Sequence, residues 1–182
     1  MKWVFRIFGL IIGLFLFGCL AGFFISPHIS VERSEDMFTV SEDMFPYMED
    51  LETHALWSPW HEPDARHTVG GSNVGVGQEA AWSCQAGECQ FGTEKISVSQ
   101  YPEFVQTDLN IDGRYMQATY AVMDNENADG SLSVLFKVET ELGGFPYIQR
   151  IFKFREKSRL GDKLEAGLIK LEALLIADGM AD

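Results

Sequence analysis

Residues 7–25 read IFGLIIGLFLFGCLAGFFI, nineteen positions without a charge. At about 1.5 Å rise per residue, a helix of that length extends roughly 28 Å, close to the hydrocarbon thickness of a bilayer. A globular domain buries one stripe of a surface helix, not its whole circumference. The run therefore divides the chain into an anchor over 1–26 and a domain over 27–182. Lys2 and Arg6 precede the run, and SPHISVERSED follows it. The positive-inside rule then keeps the N-terminus in the cytoplasm. The expectation is a single-pass protein of the bacterial cytoplasmic membrane, with its domain in the periplasm or cell exterior. A cleaved signal peptide would have a shorter apolar region ending in small residues, whereas GFFI continues the run past Ala21 and Gly22. Leu16 to Cys19, LFGC, loosely resembles a lipobox. Phe17 stands where a small residue is usual, and the apolar stretch after Cys19 is an odd start for a mature lipoprotein.

Without Lys2 and Arg6, twelve basic residues face twenty-seven acidic ones, a net charge of −15. That average argues against nucleic acid and against docking on anionic headgroups. Cys84 and Cys89 stand five apart in SCQAGECQ, and in an oxidising compartment the pair reads as a disulfide.

Within the domain the hydrophobic period changes along the chain. Ile29, Val31 and Arg33 alternate as in a strand. Ser41 can cap a helix in which Met44, Tyr47, Met48 and Leu51 recur at helical spacing. From Val76 the period is two. VGQEAAWSC and CQFGTEKISVS flank QAGE as a hairpin, and EFVQTDLNI, YMQATYAVM and SLSVLFKVETEL continue an antiparallel meander. Its apolar face carries Ala80 and Trp82, then Val105, Leu109 and Ile111, then Met116, Ala118, Tyr120 and Val122, and last Leu132, Val134, Phe136 and Val138. After a short helix in GFPYIQRIFKFREK comes a long one, with Leu160, Leu164, Leu168, Leu171 and Leu175 on one stripe. One sheet with an apolar face and one helix with an apolar stripe pack together, so the class is α+β.

Six features in this order resemble the SRPBCC group: VERS at 31–34, LWSPWHEPD at 56–64, GVG at 75–77, Trp82, YPEFV at 101–105, and GFP at 144–146 before the terminal helix. This is the START-like superfamily, often labelled polyketide cyclase/dehydratase. The similarity runs from Val31 to Leu175, and WSPW is its most specific part. The resemblance implies a helix-grip fold, a curved antiparallel sheet around a long C-terminal helix with a deep apolar cavity between them. It implies a pocket, not a reaction. No cofactor is implied. The expected partners are a hydrophobic small molecule or lipid in the cavity, and the membrane through the N-terminal helix. The alternatives are a cyclase/dehydratase-like enzyme on an apolar polyketide-like substrate, and an envelope partner protein with a filled core.

On that reading the ligand contacts are Trp57, Trp60, Trp82, Leu109, Met116, Tyr120, Val134, Phe136, Leu164 and Leu168. Trp57 and Trp60 are expected first to pack over one end of the core, with one indole at the cavity mouth. HEPDARH superficially resembles a zinc-protease signature, but His61 and His67 are six apart and Pro63 interrupts any helix, so no metal site is expected. No nucleophile stands out, and no catalytic residue is assigned. Glu94 shares strand parity with Ile96 and Val98. A bulge near Gly92 that turns it outward is the favoured reading, because an inward carboxylate would need a partner or a raised pKa.

Overall fold

The computed structural model describes residues 2–61, 65–83, 90–124, 131–143 and 147–180. The first helix, α1 (Lys2–Phe23), is apolar and leads through a short link to strand β1 (His28–Met37). Two helices follow, α2 (Ser41–Glu49) and α3 (Leu51–Trp57). Six strands come next: β2 (Arg66–Gly71), β3 (Gln78–Ser83), β4 (Gly92–Gln100), β5 (Phe104–Ile111), β6 (Arg114–Asp124) and β7 (Leu132–Glu141). A 3₁₀ turn, Tyr147–Phe152, runs into the long helix α4 (Lys153–Ala177).

All seven strands form one antiparallel sheet in the order β1-β7-β6-β5-β4-β3-β2. This is a plain meander closed by β1 on β7, and α4 lies across it to complete the helix-grip architecture. Each inward face expected from alternation is buried: Ala80 and Trp82, Val105, Leu109 and Ile111, Met116 and Tyr120, and Leu132 to Val138 at every second position. Val122 is half-buried. The leucine stripe of α4 is buried from Leu160 to Leu175. Its far end is tied to α2, where the Tyr47 hydroxyl donates to Asp178 at 2.5 Å.

Three local expectations are corrected. Val40, not Ser41, caps α2, and its carbonyl accepts from the amides of Asp43 and Met44. The helical pattern through Leu51 breaks at Asp50, which is extended and uses its carboxylate to accept from the Glu52 amide at 3.0 Å. The buried Gln78 side chain holds that break, accepting from the Leu51 amide and donating to Asp50 Oδ1, both at 2.8 Å. Strand β2 is additional. RHTVGG is polar and glycine-rich, so alternation is weak there, and pairing with β3 alone defines it. Cys84 and Cys89 lie outside the described residues.

Candidate functional site

Between sheet and helix the middle of the grip is filled by rings. Tyr120 lies 4.6 Å from Phe136, 5.3 Å from Trp57 and 5.1 Å from His54 between ring centroids. Val134, Leu109, Leu164 and Leu168 pack around them, each 2% exposed or less. The deep, open cavity implied by the resemblance is therefore occupied here by the chain's own aromatic side chains.

Glu94 sits among these rings, and the outward expectation for it is overturned. The register from Gly92 to Ile96 against β5 is unbroken, and the irregularity falls between Ile96 and Val98. Glu94 consequently keeps the inward parity of Leu109 and Ala80, and its side chain is fully buried. Gly92 has a different role. A Cβ there would run into the indole of Trp82, so glycine lets that ring lie flat across the strand.

The partners of Glu94 come from three elements. Its Oε1 accepts from Thr107 Oγ1 at 2.8 Å and from the Tyr120 hydroxyl at 3.3 Å, and faces His54 Nδ1 at 3.3 Å. His54 Nε2 faces the Met48 carbonyl at 3.0 Å. Both ring nitrogens thus meet acceptors, and both contacts are hydrogen bonds only when the ring carries two protons. The second oxygen, Oε2, lies 3.6 Å from His61 Nε2. Burial would raise the Glu94 pKa. The charge and hydrogen bond of His54, then His61 and Thr107, outweigh it and hold the carboxyl below its ordinary range. Burial pushes His61 down to about 4 against the pull of Glu94, so that ring is neutral near pH 7. Tyr120 is raised well above the ordinary phenol value by burial and by Glu94, while Thr107 and the indole of Trp60 act the other way.

The grip opens beside this cluster. A pocket of about 270 Å³ lies between the first turns of α4 and the β5–β6 turn. Trp60, Ile111, Met116 and Leu160 form its apolar floor, and Gln90, Asp112, Arg114, Glu156, Arg159 and Lys163 surround it. Arg114 pairs with Glu156, and Lys163 stands 5.5 Å over the Trp60 ring. A larger cleft of about 1030 Å³ at the end of β5, β6 and β7 is edged by Asp108, Asp112, Glu139 and Glu141. Its acidic rim suits an apolar ligand poorly, so the smaller pocket is the better site despite its size.

Of the residues expected to contact a ligand, Trp60 and Met116 line this pocket. Met116 also lines the larger cleft, together with Leu109, while Trp57, Trp82, Tyr120, Val134, Phe136, Leu164 and Leu168 are buried in the packing. Sequence reasoning missed the convergence of His54, His61 and Thr107 on Glu94. A signal existed: Thr107 and Glu94 are both polar positions on the inward faces of adjacent strands.

No family model and no curated protein matches this chain. Solved structures do. Norcoclaurine synthase from Thalictrum flavum superposes with a TM-score of 0.62 at 15% identity, over 83% of this chain and 95% of that one. A protein of unknown function from Staphylococcus aureus gives 0.68 at 12% identity, over 85% and 97%. A putative protein in the dynemicin biosynthetic locus gives 0.56 at 10% identity, over 83% of this chain and 48% of its own. At such identities the likeness is one of fold, and the shared fold is the helix-grip.

Proposed function

We propose that this chain is a membrane-anchored member of the SRPBCC group whose domain binds one hydrophobic small molecule at the mouth of the grip, on the periplasmic or outer side. The pocket between α4 and the β5–β6 turn carries this reading. It has an apolar floor, three cations and two carboxylates at its rim, and about 270 Å³ of space. That volume is just under the usual range for small-molecule sites, roughly 300–1,000 Å³. It suits a fused-ring compound or the end of an acyl chain rather than a whole phospholipid. Arg159 and Lys163 favour a ligand with an anionic or strongly polar end. Norcoclaurine synthase, which shares the fold, is known in complex with dopamine and hydroxybenzaldehyde. The anchor reading rests on α1, whose 22 residues have a mean hydropathy of 2.4 over the most apolar window. A Cys84–Cys89 disulfide belongs to the same reading, because that compartment is oxidising.

Native mass spectrometry of the full chain extracted from its own membrane tests the proposal. A bound apolar molecule is expected on the wild type. In Met116→Trp, which fills the pocket at a stability cost of about 1–3 kcal/mol from overpacking, its occupancy should fall at least tenfold. Undiminished occupancy in a folded Met116→Trp protein would remove this pocket as the site.

One observation favours a second reading, an enzyme acting on the same ligand. Glu94 Oε2 lies 3.6 Å from His61 Nε2, a buried carboxylate–imidazole pair that can pass a proton once it closes to hydrogen-bond distance. His61→Phe leaves the His54–Glu94 pair in place and separates the readings. A binder yields a ligand of the same mass from wild type and variant. An enzyme accumulates unconverted substrate on the variant.

A further inference from the structure

The first turns of α4 stand largely exposed, held to the sheet by the Arg114–Glu156 pair. Burial in this helix begins only at Leu160. Before it, Ile151 is 43%, Phe152 58% and Phe154 82% exposed, three bare apolar side chains within four positions. The same stretch is basic. Arg150, Lys153, Arg155, Lys157, Arg159 and Lys163 stand between 150 and 163 against Glu156 and Asp162, a local charge of +4 in a chain of −13. Six of its fourteen lysines and arginines lie in this one strip. Glu156 is already paired with Arg114.

The strip is also joined to α1. Gly18, Cys19 and Gly22 are the buried residues of α1. A Cβ on Gly18 would press on Ile148, and one on Gly22 would run into the backbone of Tyr147, so these glycines let the 3₁₀ turn lie directly against the helix. Phe23 stacks edge-on against Tyr147 at 5.5 Å. Arg150 donates to the Ile25 carbonyl and Lys153 to the Ser26 carbonyl, both at 3.3 Å, where α1 ends. From Gly18 to Ile25 is about 10 Å along a helix axis, the depth to which interfacial helices sink their apolar faces.

We infer that residues 148–159 dock on the surface of the membrane that α1 enters, with Ile151, Phe152 and Phe154 in the headgroup–acyl boundary and the basic side chains on anionic headgroups. This rests on the reading of α1 as a membrane span. It revises the expectation from net charge, because a whole-chain average hides a local patch wider than the Debye length of about 8 Å at physiological salt. Arg159 and Lys163 belong both to the strip and to the pocket rim. Docking therefore sets the pocket mouth within two helical turns of the lipid, so a hydrophobic ligand exchanges with the bilayer without crossing water.

The test uses the full chain in lipid nanodiscs with Phe154→p-benzoylphenylalanine as a photo-crosslinker. Lipid adducts are expected in discs of phosphatidylcholine with one-third phosphatidylglycerol. They should drop at least about tenfold in phosphatidylcholine alone, or when Arg155→Glu and Lys157→Glu are added. Equal yields in both lipids, no adduct, or a protein–protein crosslink in place of lipid would each overturn the proposal, the last by assigning the strip to a second copy. The same probe at Phe15 isolates the underlying reading. No lipid adduct at Phe15 means that α1 is not in the bilayer, whereas an adduct at Phe15 with none at 154 defeats the docking alone.

Discussion

At the scale of single residues, Glu94 decides how the interior behaves. Glu94→Gln removes the carboxylate on which His54, Thr107 and Tyr120 converge, in a site shut off from water. Leaving buried polar groups without their acceptor costs about 1–3 kcal/mol each, so this variant should unfold several degrees earlier by tryptophan fluorescence. Tyr120→Phe removes one of three contacts to the same oxygen and should cost about 1 kcal/mol. Acid sensitivity follows from the same cluster. His61 titrates at about 4 when folded and near 6.5 when unfolded, so between these values the unfolded chain holds the extra proton. Stability is complete above about pH 6.5 and falls as pH drops toward 4, by about 3 kcal/mol in all. Glu94, also held below its unfolded value, adds to the loss at still lower pH. His61→Phe should flatten the pH 4–6.5 part of a melting-temperature profile, and an unchanged slope would mean that other groups set it. Little of this was legible beforehand. Parity allowed an inner face for Glu94, yet the favoured reading turned it outward, because its partners lie 13 to 40 residues away and pairing over such distances has no periodic signature.

At the scale of elements, the strands and the long helix were legible because burial imposes a period. An inward face every second residue, or a stripe every third or fourth, is written directly into the order of apolar side chains. Elements held by other means were not. Strand β2 has no apolar alternation and exists through backbone pairing to β3. The α2–α3 break depends on Gln78, a side chain from another strand. The seating of the 3₁₀ turn on α1 likewise depends on small residues rather than large ones. Gly22→Val places two methyls against the Tyr147 backbone and should pry the turn from α1 without touching the domain core. Arg150 and Lys153, released from the carbonyls of Ile25 and Ser26, should then be cut by trypsin several-fold faster in detergent-solubilised protein, at an unchanged melting temperature of the domain. Equal cleavage rates would show that the contact holds nothing in place.

At the scale of the whole molecule, the orientation of the chain sets two signals against each other. Lys2 and Arg6 lie just before α1, and the residues that follow it are uncharged until Glu32, counting His28 as neutral. By sequence position the balance keeps the N-terminus in the cytoplasm. In space the opposite end of α1 is the more basic, since Arg150 and Lys153 reach the carbonyls where it ends. Insertion is decided on the emerging chain, over charges within about 15–20 residues of the span. Arg150 lies more than a hundred residues downstream, so the folded patch plays no part in that decision. It acts later, on whichever leaflet the domain meets. A reporter that works only outside the cytoplasm, fused after Asp182, should therefore be active, and Lys2→Glu with Arg6→Glu should reduce its activity at equal expression. A silent, well-expressed fusion would put the domain in the cytoplasm. It would also remove the oxidising environment on which the Cys84–Cys89 pairing depends, while leaving the basic strip facing an anionic leaflet on either side.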